Sequence, residues 1–153
     1  MKSIKRILLA TGIIFICIQF IQPDHNKNGQ VLNTDISKMI VVPDSVQTIL
    51  KNACYDCHSN NTNYPWYSNI QPMGWLMANH IKNGKAELNF SEFGTYPLRR
   101  QVNKLTGIAN SIQDGIMPLS SYKLMHKNAQ LTTSEKTVLI KWVEQSKDSL
   151  SAK

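Results

Sequence analysis

The sequence predicts an all-α fold, and three observations carry that expectation. Apolar residues recur at helical spacing over Val46, Ile49, Leu50 and Ala53, over Leu98, Val102, Leu105, Ala109 and Ile112, and over Val138, Leu139, Trp142 and Val143. Helix start and stop signals frame those three stretches. No sustained apolar–polar alternation, the mark of a half-buried strand, runs between them. A chain of 153 residues has room for one domain with a modest core, plus a leader.

The leader comes first. Lys2, Lys5 and Arg6 precede a nearly continuous apolar run from Ile7 to Ile21. Basic residues ahead of such a run stay on the cytoplasmic side of a membrane. As a helix the run is roughly 22 Å long, short of a hydrocarbon core of about 30 Å. Ile4 and snorkelling of Lys5 and Arg6 extend it. Gln22-Pro23-Asp24 follows where a cleavage site wants small residues. Residues 1–21 are therefore expected to be a transmembrane or signal-anchor helix. A cleaved signal is one alternative. Lipidation of Cys17 is the other, with bulky Ile16 against it. Any of the three exports the rest of the chain.

Residues 22–42 are mostly polar and rich in Asn. They read as a flexible tether whose last apolar run, Met39-Ile40-Val41-Val42, can lie against the domain. Fully extended, such a segment reaches about 60–70 Å.

The domain is expected over residues 43–147, with a tail at 148–153. Its first helix starts at Pro43-Asp44-Ser45, where Asp44 as N-cap and Gln47 three residues on make a capping-box pattern. A loop covers 59–72. A second helix from Met73 to Asn83 stops at Gly84, with Met73, Leu76, Met77 and His80 on one face. Residues 89–94 read as an irregular aromatic loop. A longer helix starts near Pro97, a favoured first-turn position for proline, and Gly115 ends it. Thr132 and Glu135 have capping-box spacing, and the final helix runs to about Ser146.

The first helix delivers Cys54-Tyr55-Asp56-Cys57-His58. Two cysteines three positions apart, with histidine directly after the second, form the attachment pattern of a c-type haem. Two thiols in this spacing add across the haem vinyl groups, and His58 is close enough to give the iron an imidazole nitrogen. The competing readings need context that is missing. A thioredoxin-like dithiol sits in a βαβ setting. A structural zinc site needs four protein ligands, usually with a second close pair. His25, His80 and His126 are scattered, and the other cysteine is Cys17 in the leader. One C-x-x-C-H means one haem.

Charge adds little. The formal net charge is +7, from 17 Lys and Arg against 10 Asp and Glu, and three of the positive residues precede the leader. No basic cluster with interleaved aromatics points to nucleic acid. No Ser/His/Asp arrangement, Gly-rich phosphate loop or paired-carboxylate site points to hydrolysis or group transfer.

The order of parts resembles class I cytochromes c: a helix ending in C-x-x-C-H, then Met117-Pro118 in a loop, then an amphipathic helix carrying Trp142. The stretches Tyr64-Pro65-Trp66-Tyr67-Ser68, Asn89-Phe90-Ser91-Glu92-Phe93 and Met117-Pro118-Leu119 resemble a bacterial haem-binding domain family more closely. Its members are small, anchored c-type proteins with one C-x-x-C-H. The resemblance implies a cytochrome c-like helical haem domain holding one covalent haem c. Cys54, Cys57 and His58 match the haem motif, and Met117 matches the distal methionine.

Residue chemistry also favours Met117 as second iron ligand. Pro118 stiffens its loop and Gly115 lets the chain turn back. His80 is the rival distal ligand, because imidazole binds haem iron strongly. Met125 and His126, or an open position, are the remaining choices. Met73 and Met77 are expected in the core. Trp66, Tyr67, Trp75 and Tyr122 are candidate porphyrin walls. Arg99, Arg100 and Lys104 make a solvated helix face, with pairing to the haem propionates or a partner-docking patch as the alternatives.

The expected function is a membrane-tethered monohaem electron carrier in the periplasm, an electron carrier rather than a catalyst, serving a membrane oxidase or reductase. A secreted periplasmic form is the alternative location. A haem sensor or peroxidase-like protein with an open or displaceable sixth ligand is the alternative function, and a haemless dithiol protein is a third.

Overall fold

A computed structural model of the chain describes residues 1–152. Among them there is no β-strand, and Lys27 and Asn61 form an isolated antiparallel bridge. Eight α-helices follow in order: α1 (Lys2–Ile18), α2 (Ile36–Met39), α3 (Asp44–Ala53), α4 (Tyr55–His58), α5 (Met73–Glu87), α6 (Leu98–Gln113), α7 (Ser120–Met125) and α8 (Thr133–Ser151). Short 3-10 turns lie at Trp66–Asn69, Phe90–Thr95 and Lys127–Ala129. The expected all-α class is what the chain adopts.

The core forms where three amphipathic helices meet. The face expected for α3 is the face it buries: Val46, Ile49, Leu50 and Ala53. On α6, Leu105, Ala109 and Ile112 are buried, whereas Leu98 at its exposed start is not. On α8 the buried residues are Leu139, Trp142, Val143, Ser146 and Leu150. α6 and α3 both pack against α8. The stripe on α8 continues past Ser146 because Leu150 is apolar and in register, so the helix takes in most of the expected tail. Lys153, the last residue of that tail, lies outside the described residues.

Local capping differs at the two ends of this core. Thr132 and Glu135 form the expected reciprocal capping box on α8. At α3 the N-cap is Pro43 and no side chain caps the helix. Asp44 is instead the first helical residue, where its carboxylate complements the positive end of the helix dipole.

Residues 22–42, expected as a tether, run along the domain. Ile36 and Ile40 belong to the hydrophobic core. The Trp142 indole N–H donates to the Val41 carbonyl at 3.0 Å, and the Gly94 N–H donates to the Thr34 carbonyl at 2.8 Å. Earlier in the segment, the Asn26 side-chain amide donates to the Ser59 carbonyl at 2.7 Å, and His25 stacks on Tyr64. Polar composition suggests a free linker, but Asn26 spends its side-chain amide on the 59–64 loop and so ties the segment down.

α1 buries no residue, and Ile4, Ile7, Leu8, Leu9, Ile13, Ile14, Phe15 and Ile16 are all exposed. Its 17 residues span roughly 26 Å against a core of about 30 Å. No helix among the described residues is long and apolar enough to cross a membrane. The expected spanning anchor therefore has no support here, because the helix closes at Ile18 rather than running to Ile21.

Two further elements depart from expectation. α5 continues through Gly84 to Glu87. Its buried residues are Gly74 and Ile81; of the face expected inside, Met73 and Leu76 are exposed, whereas Met77 and His80 are half-buried. The aromatic loop at 89–94 is a 3-10 turn whose Phe90 and Phe93 are among the most deeply buried side chains.

Candidate haem site

α3 delivers the C-x-x-C-H stretch to one tight turn. Cys54 links α3 to α4, and its carbonyl accepts from the N–H groups of Cys57 at 3.2 Å and His58 at 2.9 Å. Winding the chain this way brings Cys54, Cys57 and His58 onto the wall of one cavity of about 200 Å³, which Met117 also lines. A second cavity of about 240 Å³ shares Ala53, Cys54, His58, Glu87 and Met117 with the first. The two are lobes of one slot. The first lobe is floored by α5 through His80, Asn83 and Gly84, and the second by Leu88, Phe90 and α6.

The His58 ring is held in one orientation by the backbone. Its Nδ1 lies 3.0 Å from the Leu88 carbonyl oxygen. A carbonyl only accepts, so Nδ1 carries the proton and donates. Burial lowers the pKa of the ring from its ordinary value, despite the opposing Leu88 contact. The neutral ring then offers the lone pair of Nε2. Backbone orientation of the far nitrogen is the usual way a ligating histidine is held.

The thiols are free and protonated. Neither Cys54 nor Cys57 is in a disulfide. Burial, then the neighbouring Cys57, pushes the Cys54 thiol up to about 12. Burial, then Asp56, pushes Cys57 up to about 11. A redox dithiol works through a lowered thiolate pKa, so this environment is the reverse of what that chemistry uses.

Met117 is half-buried and lines both lobes. Gly115, at φ +72°, reverses the chain after α6, and the Met117 N–H then donates to the Ser111 carbonyl at 3.1 Å. Pro118 is buried and lines the first lobe beside it. His80 also lines the first lobe, from α5. Met125 and His126 line neither lobe.

The outer shell is partly different from expectation. Trp66 is 74% exposed and lines neither lobe. Tyr67 is also outside the lobes, its hydroxyl 3.5 Å from His126 Nε2. Trp75 donates its indole N–H to the Ile21 carbonyl at 2.8 Å, away from the slot. Adjacent aromatics in a Tyr-Pro-Trp-Tyr run face different ways on a 3-10 turn, so sequence proximity to the motif does not bring them to it. Tyr122 does line the first lobe. Lys104 lines the second lobe and meets Glu87 at 3.5 Å, whereas Arg100 sits over the Tyr96 ring at 4.5 Å.

Sequence reasoning missed Gly84. A Cβ there would come within 2.7 Å of the Cys57 carbonyl oxygen, so α5 reaches the C-x-x-C-H turn only because residue 84 is glycine. The signal is present in the sequence but reads as a helix stop. The Leu88 carbonyl has no sequence signal, since any residue supplies one.

The donor set fits an iron porphyrin: two free thiols, an imidazole with its outer nitrogen free, and a thioether on one apolar slot. An all-helical domain built around such a slot defines a haem-binding protein. In agreement, residues 13–145 match the family described as haem-binding domain, and the chain belongs to that family. The match begins within α1 and takes in the docked 22–42 segment. No curated protein and no solved structure matches the chain.

Proposed function

We propose that the protein is a monohaem c-type cytochrome that carries electrons on the outer side of the cytoplasmic membrane. The observation that carries this reading is the shared wall of Cys54, Cys57, His58 and Met117. Cys54 and Cys57 would hold the haem by thioether bonds, and His58 Nε2 and the Met117 sulfur would hold its iron. Haem bound this way supplies reversible one-electron chemistry, and thioether ligation raises its potential. The chain's part is positional. The Leu88 carbonyl fixes the His58 ring, the Ser111 carbonyl fixes the Met117 backbone, and apolar lobe walls keep water away. Lys104, which lines the second lobe, would be placed to pair with a propionate.

The exposed apolar α1 supports residence at the membrane, where an oxidase or reductase would be the redox partner. A second reading, a sensor or peroxidase-like protein with a displaceable sixth ligand, is favoured by His80 sharing the first lobe with Met117.

The test is protein matured in a periplasm with haem-attachment machinery. The expected result is one added haem mass, a low-spin spectrum in both oxidation states, and the weak ferric–methionine charge-transfer band. Lack of added haem mass overturns covalent attachment. Rapid carbon monoxide binding to the reduced form overturns the carrier reading in favour of the second.

A further inference from the structure

The Met117 loop and the C-x-x-C-H turn are joined by one hydrogen bond. The Tyr122 hydroxyl donates to Asp56 Oδ2 at 2.6 Å, across 66 positions of sequence. Tyr122 lies in α7, five residues after Met117, and Asp56 lies two residues before His58. Among the described residues no other hydrogen bond links residues 116–125 to residues 54–63. Asp56 is itself fixed from the far side. Its Oδ1 accepts from the Asn63 N–H at 2.9 Å, and its carbonyl accepts from the Thr62 hydroxyl at 2.6 Å.

Tyr122 is braced as well. Its ring stacks on His126 with centroids 4.0 Å apart. The His126 ring in turn meets the Tyr67 hydroxyl at 3.5 Å. Burial and the Asp56 contact both push the Tyr122 hydroxyl pKa upward, so it keeps its proton and donates at neutral pH. A neutral donor on a carboxylate is a charge-assisted bond, stronger than a neutral pair.

We propose that Tyr122 is a positioning residue for the distal ligand: its bond to Asp56 holds the Met117 loop at a fixed separation from the His58 turn. This rests on Met117 being the second iron ligand. Without the tie, the loop samples open positions in which the thioether leaves the iron. An external ligand then competes with Met117 more easily, because its apparent affinity scales with the open fraction. Tyr67, which lines neither lobe, gains a role in the same chain of contacts: it supports His126, which supports Tyr122.

The experiment uses haem-loaded full-length protein. Wild type is first scored for the ferric–methionine band, and its absence there overturns the Met117 reading itself. With the band present, Tyr122→Phe should raise the affinity of ferric protein for imidazole by about tenfold, the order expected for loss of one hydrogen bond to a charged group. The helical circular-dichroism spectrum should be unchanged. Asp56→Ala, which removes the acceptor, should give the same gain, and the double variant should give no more than either single one. In protein purified before haem loading, amide exchange over residues 116–126 should speed up in both variants. Unchanged imidazole affinity and exchange in Tyr122→Phe overturn the proposal while leaving Met117 ligation intact. If that variant does not accumulate, Asp56→Ala decides in the same terms.

Discussion

Gly84 of α5 lies directly against Cys57, so closely that a β-carbon at position 84 would meet the Cys57 carbonyl oxygen at 2.7 Å and its Cβ at 3.2 Å. Backbone cannot give way as a flexible side-chain tip does. The helix that floors the first lobe and the turn that carries the thiols are thus fitted to one another at a single hydrogen atom.

Gly84→Ala should therefore destabilise the haem-free domain by about 1–3 kcal/mol, the usual cost of overpacking, and lower the yield of haem-loaded protein. Gly107→Ala is the control. Gly107 is in α6, where an added β-carbon would meet nothing within 4 Å and φ is not positive. That change should stabilise the haem-free helix by about 0.5–1 kcal/mol through backbone entropy. Thermal melts of both variants before haem loading check the pair, and equal shifts would contradict the close-contact account.

Gln71 is fully buried and serves as a polar hub. Its N–H donates to Gln19 Oε1 at 2.8 Å, its side-chain amide donates to Gln22 at 2.9 Å, and its Oε1 accepts from the Trp75 N–H at 3.0 Å. Gln71→Ala removes the acceptor of the Trp75 N–H and the donor to Gln22, both within reach of water, at a cost of about 1 kcal/mol. It should also free the end of α1, measured as faster amide exchange at residues 19–22. A melt unchanged from wild type would show that water replaces the side chain at no cost.

The α8 capping box gives a pH prediction. The Thr132 N–H and then its hydroxyl hold the Glu135 carboxyl below its ordinary value of 4.5. A carboxylate with a depressed folded pKa adds stability above its unfolded pKa and loses it as pH falls through the folded one. Stability should thus decline on acidification below about 4.5, modestly, since the group is exposed and solvent-screened. Thr132→Ala should cost about 1 kcal/mol at neutral pH and flatten that decline, as read from denaturant midpoints on acidification from neutral pH.

Distal ligation separates two histidine-and-methionine alternatives that line one lobe. Met117→Ala should abolish the ferric–methionine band and lower the reduction potential. His80→Ala should leave the spectrum as it was. Exchanged outcomes, read by absorption spectroscopy and a redox titration, would move the ligand to α5.

Much of the site is legible without the fold. Cys54, Cys57 and His58 are bound into one turn by spacing alone, and the Met117-Pro118 step after Gly115 comes to the same cavity wall. The aromatic surround is what misleads. Trp66 stands close to the motif in sequence yet is exposed and lines neither lobe, and Tyr67 reaches the first lobe only through His126 and Tyr122. Gly84 misleads in another way: a glycine that permits close approach and a glycine that ends a helix look identical in one sequence.

By itself the sequence determined the helical class, the buried faces of α3 and most of α6 and α8, the Thr132 cap and the thiol–imidazole turn. These follow from interactions among residues within a few positions of each other, where periodicity and spacing fix the geometry. The tertiary structure alone decided that residues 22–42 dock on the domain, that α5 passes its glycine over Cys57, and that Tyr122 meets Asp56. Each of those depends on which distant surfaces meet. That is set by the summed packing of the whole chain, and no local pattern encodes it.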